Sequence, residues 1–178
     1  MNNIISAEKK IAMMTENGFN EAEFITLQKA FMTKHAQSRI ISSHHGLVYS
    51  KPKTGIGTSY AVDNALSETL AIDYDCLIVV GGAEHIETLS EEPHAIRLIR
   101  AFLRENMPIL FVSEGSKLLD VIGDTRFSGV SYNEKIIAKS DSVFWSITGQ
   151  SLSLIFTEFF EIVCSGETNK KSTNGVAA

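Results

Sequence analysis

The residues best placed to do chemistry form one short run, Ser113-Glu114-Gly115, between the apolar Ile109–Val112 and a helical-looking Ser116–Ile122. An apolar run opened by Pro108 reads as a buried strand of a parallel sheet. A residue on the turn from such a strand into a helix is held exposed at the carboxyl edge of the sheet, the geometry of a nucleophile elbow. Here the elbow residue is Ser113, and a serine hydroxyl attacks only if a base takes its proton. Two candidates exist. Glu114 is adjacent but needs a pKa raised by burial. His85 stands three residues beyond Gly82 on a neighbouring loop. A Ser113–His85 pair, with the Gly82 and Gly115 amides as an oxyanion hole, is one arrangement, although it lacks a group to orient the histidine. The structural alternatives are that a small polar residue tolerates the strained turn and caps the following helix, or that it makes a noncatalytic ligand contact.

The other chemically capable residues have plainer readings. Gly81-Gly82 closes a strand and serves its turn. His44-His45 are adjacent, so on a strand they point to opposite faces; with no third ligand they read as surface sequence, not a metal site. His94 beside Pro93 is a solvated helix start. Cys76 sits in an apolar strand as a small hydrophobe, and Cys164 near the end of the last helix is the more accessible thiol. Arg97, Arg100 and Arg104 form a solvated helix face. No cofactor or metal is expected.

The elements that must position these residues follow in chain order. Lys9–Thr15 is the first strand and Glu16–Asn20 its turn. Glu21 to about Lys34 has helical spacing, and Ser38–Ser43 is a second strand, giving a parallel strand–helix–strand unit with a right-handed crossover. The glycines and short alternating segments of 46–62 predict small strands or a hairpin. Asn64–Ile72 is a connection with short helical character, and Tyr74–Val80 a strand ending at Gly81-Gly82. Pro93–Asn106 is an amphipathic helix with Pro93 in its first turn. Gly123–Asn133 reads as loop with a short strand, Glu134–Lys139 and Ser142–Ile147 as strands, and Gly149–Cys164 as a largely buried last helix. Such alternation predicts a three-layer α/β sandwich, a mostly parallel sheet with helices on both faces. Ligands of these sheets sit at a switch point beyond the carboxyl ends of the strands. Glu16–Asn20, Gly81–His85 and Ser113–Gly115 should converge there.

Length and composition narrow the classes. The 178 residues fit one domain, read as a lead-in over 1–8, a single domain over 9–164 and a disordered tail over 165–178. A net charge of −5 gives no support to a nucleic-acid partner. No apolar run is long enough to span a membrane, and the polar N-terminus lacks a signal-peptide core. Two cysteines far apart make no disulfide framework. A cytoplasmic protein is the simplest expectation.

Four pieces in order carry a resemblance over Lys9 to Cys164. They are Gly18-Phe19-Asn20-Glu21-Ala22-Glu23 after the first strand, Asp75–Val80 closing on Gly81-Gly82, the elbow Phe111–Gly115, and Ile147-Thr-Gly-Gln-Ser151. Together they resemble the ThiJ/PfpI superfamily, flavodoxin-like relatives of class I glutamine amidotransferases. Ser67–Val80 looks like the C-terminal domain of large-subunit catalases. The resemblance implies a flavodoxin-like fold, a homodimer and a pocket lined by Asn20, Glu21, Gly81, Gly82 and Gly115. Active members read Cys-His-Gly at the elbow, where this chain has Ser113-Glu114-Gly115. They also place a glutamate just after the phenylalanine of the first loop, where ungapped matching puts Asn20, with Glu21 one residue on. Both partners of the thiol site are therefore expected to be replaced, and the usual protease, glyoxalase and deglycase activities to be absent.

Three functions fit these residues. One is a noncatalytic domain acting through binding, assembly or a stress-related role. Another is a hydrolase or lyase of small carbonyl or amide substrates using Ser113 with His85 or Glu114. The third is a small-molecule sensor or carrier using the crevice at the strand ends. One domain of this length has no room for a haem-binding catalase core.

Overall fold

Apolar strands alternating with amphipathic helices build a sheet buried on both faces. The structure, a computed structural model, describes residues 8–127, 137–140, 142–146 and 152–173. In chain order these give β1 (Lys10–Met14), α1 (Glu21–Thr33), β2 (Gln37–Ser42), β3 (Leu47–Tyr49), β4 (Ser59–Ala61), β5 (Asn64–Ala65), β6 (Cys76–Val79), α2 (Ala83–Glu91), α3 (Pro93–Arg104), β7 (Ile109–Val112), α4 (Lys117–Ile122), β8 (Ile137–Ser140), β9 (Val143–Ser146) and α5 (Leu152–Thr173). The main sheet runs β5-β2-β1-β6-β7-β9-β8. All its neighbours are parallel except β8, which pairs antiparallel with β9 at the edge. The expected hairpin is β3–β4, registered Leu47 to Ala61 and Tyr49 to Ser59.

The period-two geometry of strands sorts their side chains into two cores. Ala12, Met14, Leu77, Val79, Ile109 and Phe111 face α2, α3 and α4 through Ile86, Leu89, Leu98, Phe102 and Leu118. Ile11, Met13, Cys76, Ile78, Leu110 and Val112 face α1 and α5 through Phe24, Leu27, Phe31, Ile155 and Phe159. Helices on both faces of a mostly parallel sheet make the flavodoxin-like sandwich expected from the sequence. Burial pushes the Cys76 thiol well up, as suits an inert core residue. Cys164 is exposed.

Four elements differ from the sequence reading. Helix α2 occupies Ala83–Glu91, where the sequence suggested only a loop around Gly81–His85; Ile86 and Leu89 give it a narrow buried stripe that is easily overlooked. The connection 64–72 adds a two-residue strand, β5, before two single turns of 3₁₀ helix. Helix α5 continues to Thr173 instead of ending at Cys164, so that 165–173 of the expected tail is helical; propagation needs only one bond per added residue once a helix exists. The arginine face of α3 is also less free than expected, because Arg97 and Arg100 donate to backbone carbonyls. The segment Ile147–Ser151, the strand sought within 128–133 and the tail beyond 173 lie outside the described residues. Among the described residues no helix is long and apolar enough to cross a membrane.

Candidate functional site

The chain leaves β1 toward β2 on one side and returns to β6 on the other, which places the switch point between β1 and β6. The three expected loops meet there. Glu16 N–H donates to His85 Nδ1 at 2.8 Å, Asn20 N–H donates to Gly81 O at 2.8 Å, and Gly82 N–H donates to Glu114 Oε2 at 3.1 Å.

Ser113 has φ +50, a left-handed backbone rare for a residue with a Cβ, and this bend lifts it out of β7. Its hydroxyl does not cap the helix that follows; it donates to Glu23 Oε2 at 2.6 Å, and the other oxygen of that carboxylate accepts Gly81 N–H at 2.8 Å. The partner carboxylate is thus present, at Glu23 and not at Asn20. Asn20 is instead the N-cap of α1, its side chain accepting the Glu23 N–H at 3.1 Å. The Asn20-Glu21-Ala22-Glu23 spacing is the signal that could have found it, since a capping residue followed three positions later by glutamate marks a helix start. Usually that glutamate bonds back to the cap's own N–H. Here the Asn20 N–H is taken by the Gly81 carbonyl, which frees the Glu23 side chain to reach Gly81 and Ser113. Glu21, one residue from the expected position, turns the other way and accepts the Tyr60 hydroxyl at 2.6 Å. That bond holds the Glu21 carboxyl below its usual range, while burial is the main reason Tyr60 is pushed up to about 12.

Glu23 is buried, and desolvation raises its pKa, helped by the charge of nearby Glu114 and opposed by the Ser113 and Gly81 hydrogen bonds. Gly81 sits where these groups meet. A Cβ there would fall 2.5 Å from Glu114 Oε2, 2.7 Å from Glu23 Oε1 and 2.8 Å from Ser113 Cβ. Gly82 has φ +124, and its Cβ would run into the Gly18 carbonyl oxygen, so only glycine brings β6 this close to the first loop. Gly115 lies against β6, the neighbour of β7, with room for no Cβ beside the Val79 carbonyl at 2.8 Å.

His85 cannot serve Ser113. It is 0% exposed; its Nδ1 accepts from Glu16 N–H, which assigns the ring proton to Nε2, and that N–H donates to Val80 O at 3.2 Å. Burial lowers its pKa to about 4, so both ring nitrogens are structural and the ring is neutral. The oxyanion pairing of Gly82 and Gly115 fails for a related reason: the Gly82 amide already holds the Glu114 carboxylate. What remains is a hydroxyl between a buried acid and an amide filled by the chain's own carboxylate. Among the described residues no cluster of histidine, cysteine or carboxylate could hold a metal ion.

The DJ-1/PfpI family model matches residues 9–127, which includes every residue of this constellation. DJ-1 from Schizosaccharomyces pombe superposes with a TM-score of 0.74 at 17% identity, covering 95% of this chain and 99% of that one. A ThiJ/PfpI domain protein from Brachyspira murdochii gives 0.71 at 16% identity, covering 90% and 96%. A mutant of a DJ-1 superfamily protein from Salmonella typhimurium gives 0.73 at 15% identity, covering 92% and 98%. Identities this low speak for the fold alone. No curated protein matches the chain in sequence. With the family match spanning about two thirds of the chain and both the elbow and its carboxylate within it, this chain belongs to the DJ-1/PfpI family.

Proposed function

We propose that this DJ-1/PfpI domain does not turn over substrate at its elbow and acts through small-molecule binding or assembly, as a homodimer. The observation that carries this reading is the Glu114 carboxylate on the Gly82 amide. A tetrahedral oxyanion needs preorganised donors at the position where its charge develops, and here an anion belonging to the protein already takes that donor. Nor is Ser113 well activated. Its one hydrogen-bond acceptor is Glu23, a carboxylate far weaker as a base than the imidazole of a serine dyad.

Activity assays on small dicarbonyl and amide compounds test the proposal, run beside labelling with a fluorophosphonate. The expected result is no turnover above that of Ser113→Ala and no adduct. The second reading, a Ser113-dependent hydrolase or lyase, is favoured by the 2.6 Å contact to a carboxylate of raised pKa. A Ser113 adduct that disappears in both Ser113→Ala and Glu23→Gln would establish it.

A gain-of-function pair separates the missing sulfur from the obstructing acid. Ser113→Cys should give a sluggish thiol, because the Glu114 charge opposes the thiolate. Adding Glu114→Gln should speed iodoacetamide alkylation by about tenfold at neutral pH, the effect of roughly one unit in thiol pKa.

A further inference from the structure

A cavity lies at the opposite edge of the sheet from Ser113. It measures about 620 Å³ and opens between the residues that lead into β6 and β7, with Leu70, Ala71, Ile72, Ala101 and Met107 as its apolar walls. Leu70 and Ile72 are 54% and 83% exposed, an unusual placement for two large apolar side chains within three residues. Its volume is that of a small-molecule site.

Two arginines reach this cavity, and they are held differently. Arg104 is paired with Glu105, Nε to Oε1 at 3.3 Å. Arg97 has no carboxylate within ion-pair distance among the described residues. It is fixed instead by Nη2, which donates to Leu66 O at 2.9 Å and to Thr69 O at 3.0 Å. Carbonyls orient a guanidinium without neutralising it. Of the five N–H donors of an arginine, those on Nε and Nη1 remain for a ligand. A preorganised, uncompensated cation at the rim of an apolar cavity is the arrangement that recognises an anionic head on an apolar body.

We propose that this cavity binds a small amphipathic carboxylate, with its chain against Leu70, Ile72, Ala101 and Met107 and its carboxylate on Arg97. The site is independent of the elbow, so ligand bound here leaves Ser113 and Glu23 untouched.

Calorimetric titration of the full chain with sodium decanoate, below its micelle concentration, tests this beside decanol as an uncharged probe of equal length. One saturable site is expected, with decanol weaker by about tenfold or more, the scale of a charge-assisted hydrogen bond. Arg97→Met should erase that preference. Because Arg97 also ties down the 66–69 turn, a second variant is needed. Ala101→Phe fills the cavity while leaving both carbonyl bonds of Arg97 in place, and it should abolish binding of both probes. Equal affinity for decanol, unaltered binding in Ala101→Phe, or no binding by the native chain would each overturn the proposal. So would light scattering that shows Ile72→Asp turning a dimer into a monomer, since a second copy would then cover this face.

Discussion

The two edges of the sheet solve opposite problems with the same strands. At the carboxyl edge, Ser113, Glu23, Glu114, His85, Gly81 and Gly82 meet and bond to one another or to nearby backbone. At the amino edge, Arg97 is fixed by carbonyls beside an open, largely apolar cavity, with no carboxylate within ion-pair distance of it among the described residues. The carboxyl edge spends its polar groups on one another, while the amino edge sets a cation without a carboxylate partner among the described residues beside an apolar cavity. Satisfied polar networks rigidify a protein; recognition needs groups whose partners are still missing.

The carboxyl edge depends most on close backbone approach, so breaking it there should have the largest effect. Gly82→Ala forces a Cβ onto the Gly18 carbonyl at φ +124. The expected loss is about 4 kcal/mol, combining an incompatible backbone with a steric clash, read by urea denaturation. Val121→Ala, on an exposed part of α4 away from this approach, should shift stability by less than about 1 kcal/mol.

Next in size is a pH effect that belongs to the same network. His85 has an ordinary pKa of 6.5 and a folded value of about 4, so the unfolded chain takes up a proton over that interval before the folded one does. Its contribution is present above pH 6.5 and lost as pH falls through 6.5 toward about 4. The size is about 3 kcal/mol from the pKa difference. Unfolding curves at pH 7, 5.5 and 4 should show the loss, and the His85 ring resonances should stay at neutral positions at pH 5.5. A protonated His85 at that pH would mean the ring is solvated and the edge is open. Glu23 works with the opposite sign. Its folded pKa is raised, so its contribution is full below the ordinary 4.5 and declines as pH rises through the folded value. Glu23→Gln should keep the contacts to Gly81 and Ser113 and remove that decline, visible as a melting-temperature difference that moves in the variant's favour over the native chain as pH rises above 4.5.

The fold was legible because it rests on patterns that survive in one sequence: apolar strands of β1, β6 and β7, and helices with one buried face. Ser113 was legible for a similar reason, since a strand must bend sharply to enter a helix at Gly115. The partners of Ser113 were not. Asn20 and Glu21 were nearer to the expected position than Glu23, but a helix start turns successive residues through about 100° each, and only the third carries its carboxylate into the sheet edge. His85 looked free on a loop; its two bonds join it to backbone at Glu16 and Val80, contacts that spacing does not reveal. The Arg97 side of the molecule was read as a solvated helix face because sequence shows charge and periodicity, not the carbonyls of Leu66 and Thr69 that capture the guanidinium.

The smallest predicted effect asks how much strain the closed edge stores. Ser113 holds φ +50, a conformation that costs a residue with a Cβ roughly 1 kcal/mol and glycine almost nothing. Its hydroxyl also donates to a carboxylate, a bond worth about 2 kcal/mol. Ser113→Ala should therefore lose about 2 kcal/mol, since it keeps the strain and removes the bond. Ser113→Gly removes both and should lose only about 1 kcal/mol. The difference between the two variants, measured by urea unfolding at one pH, reads the backbone strain separately from the hydrogen bond. If glycine proves no better than alanine, the bend is imposed at no cost by the packing of Gly81 and Gly115 around it, and the elbow is a rigid remnant rather than a strained one.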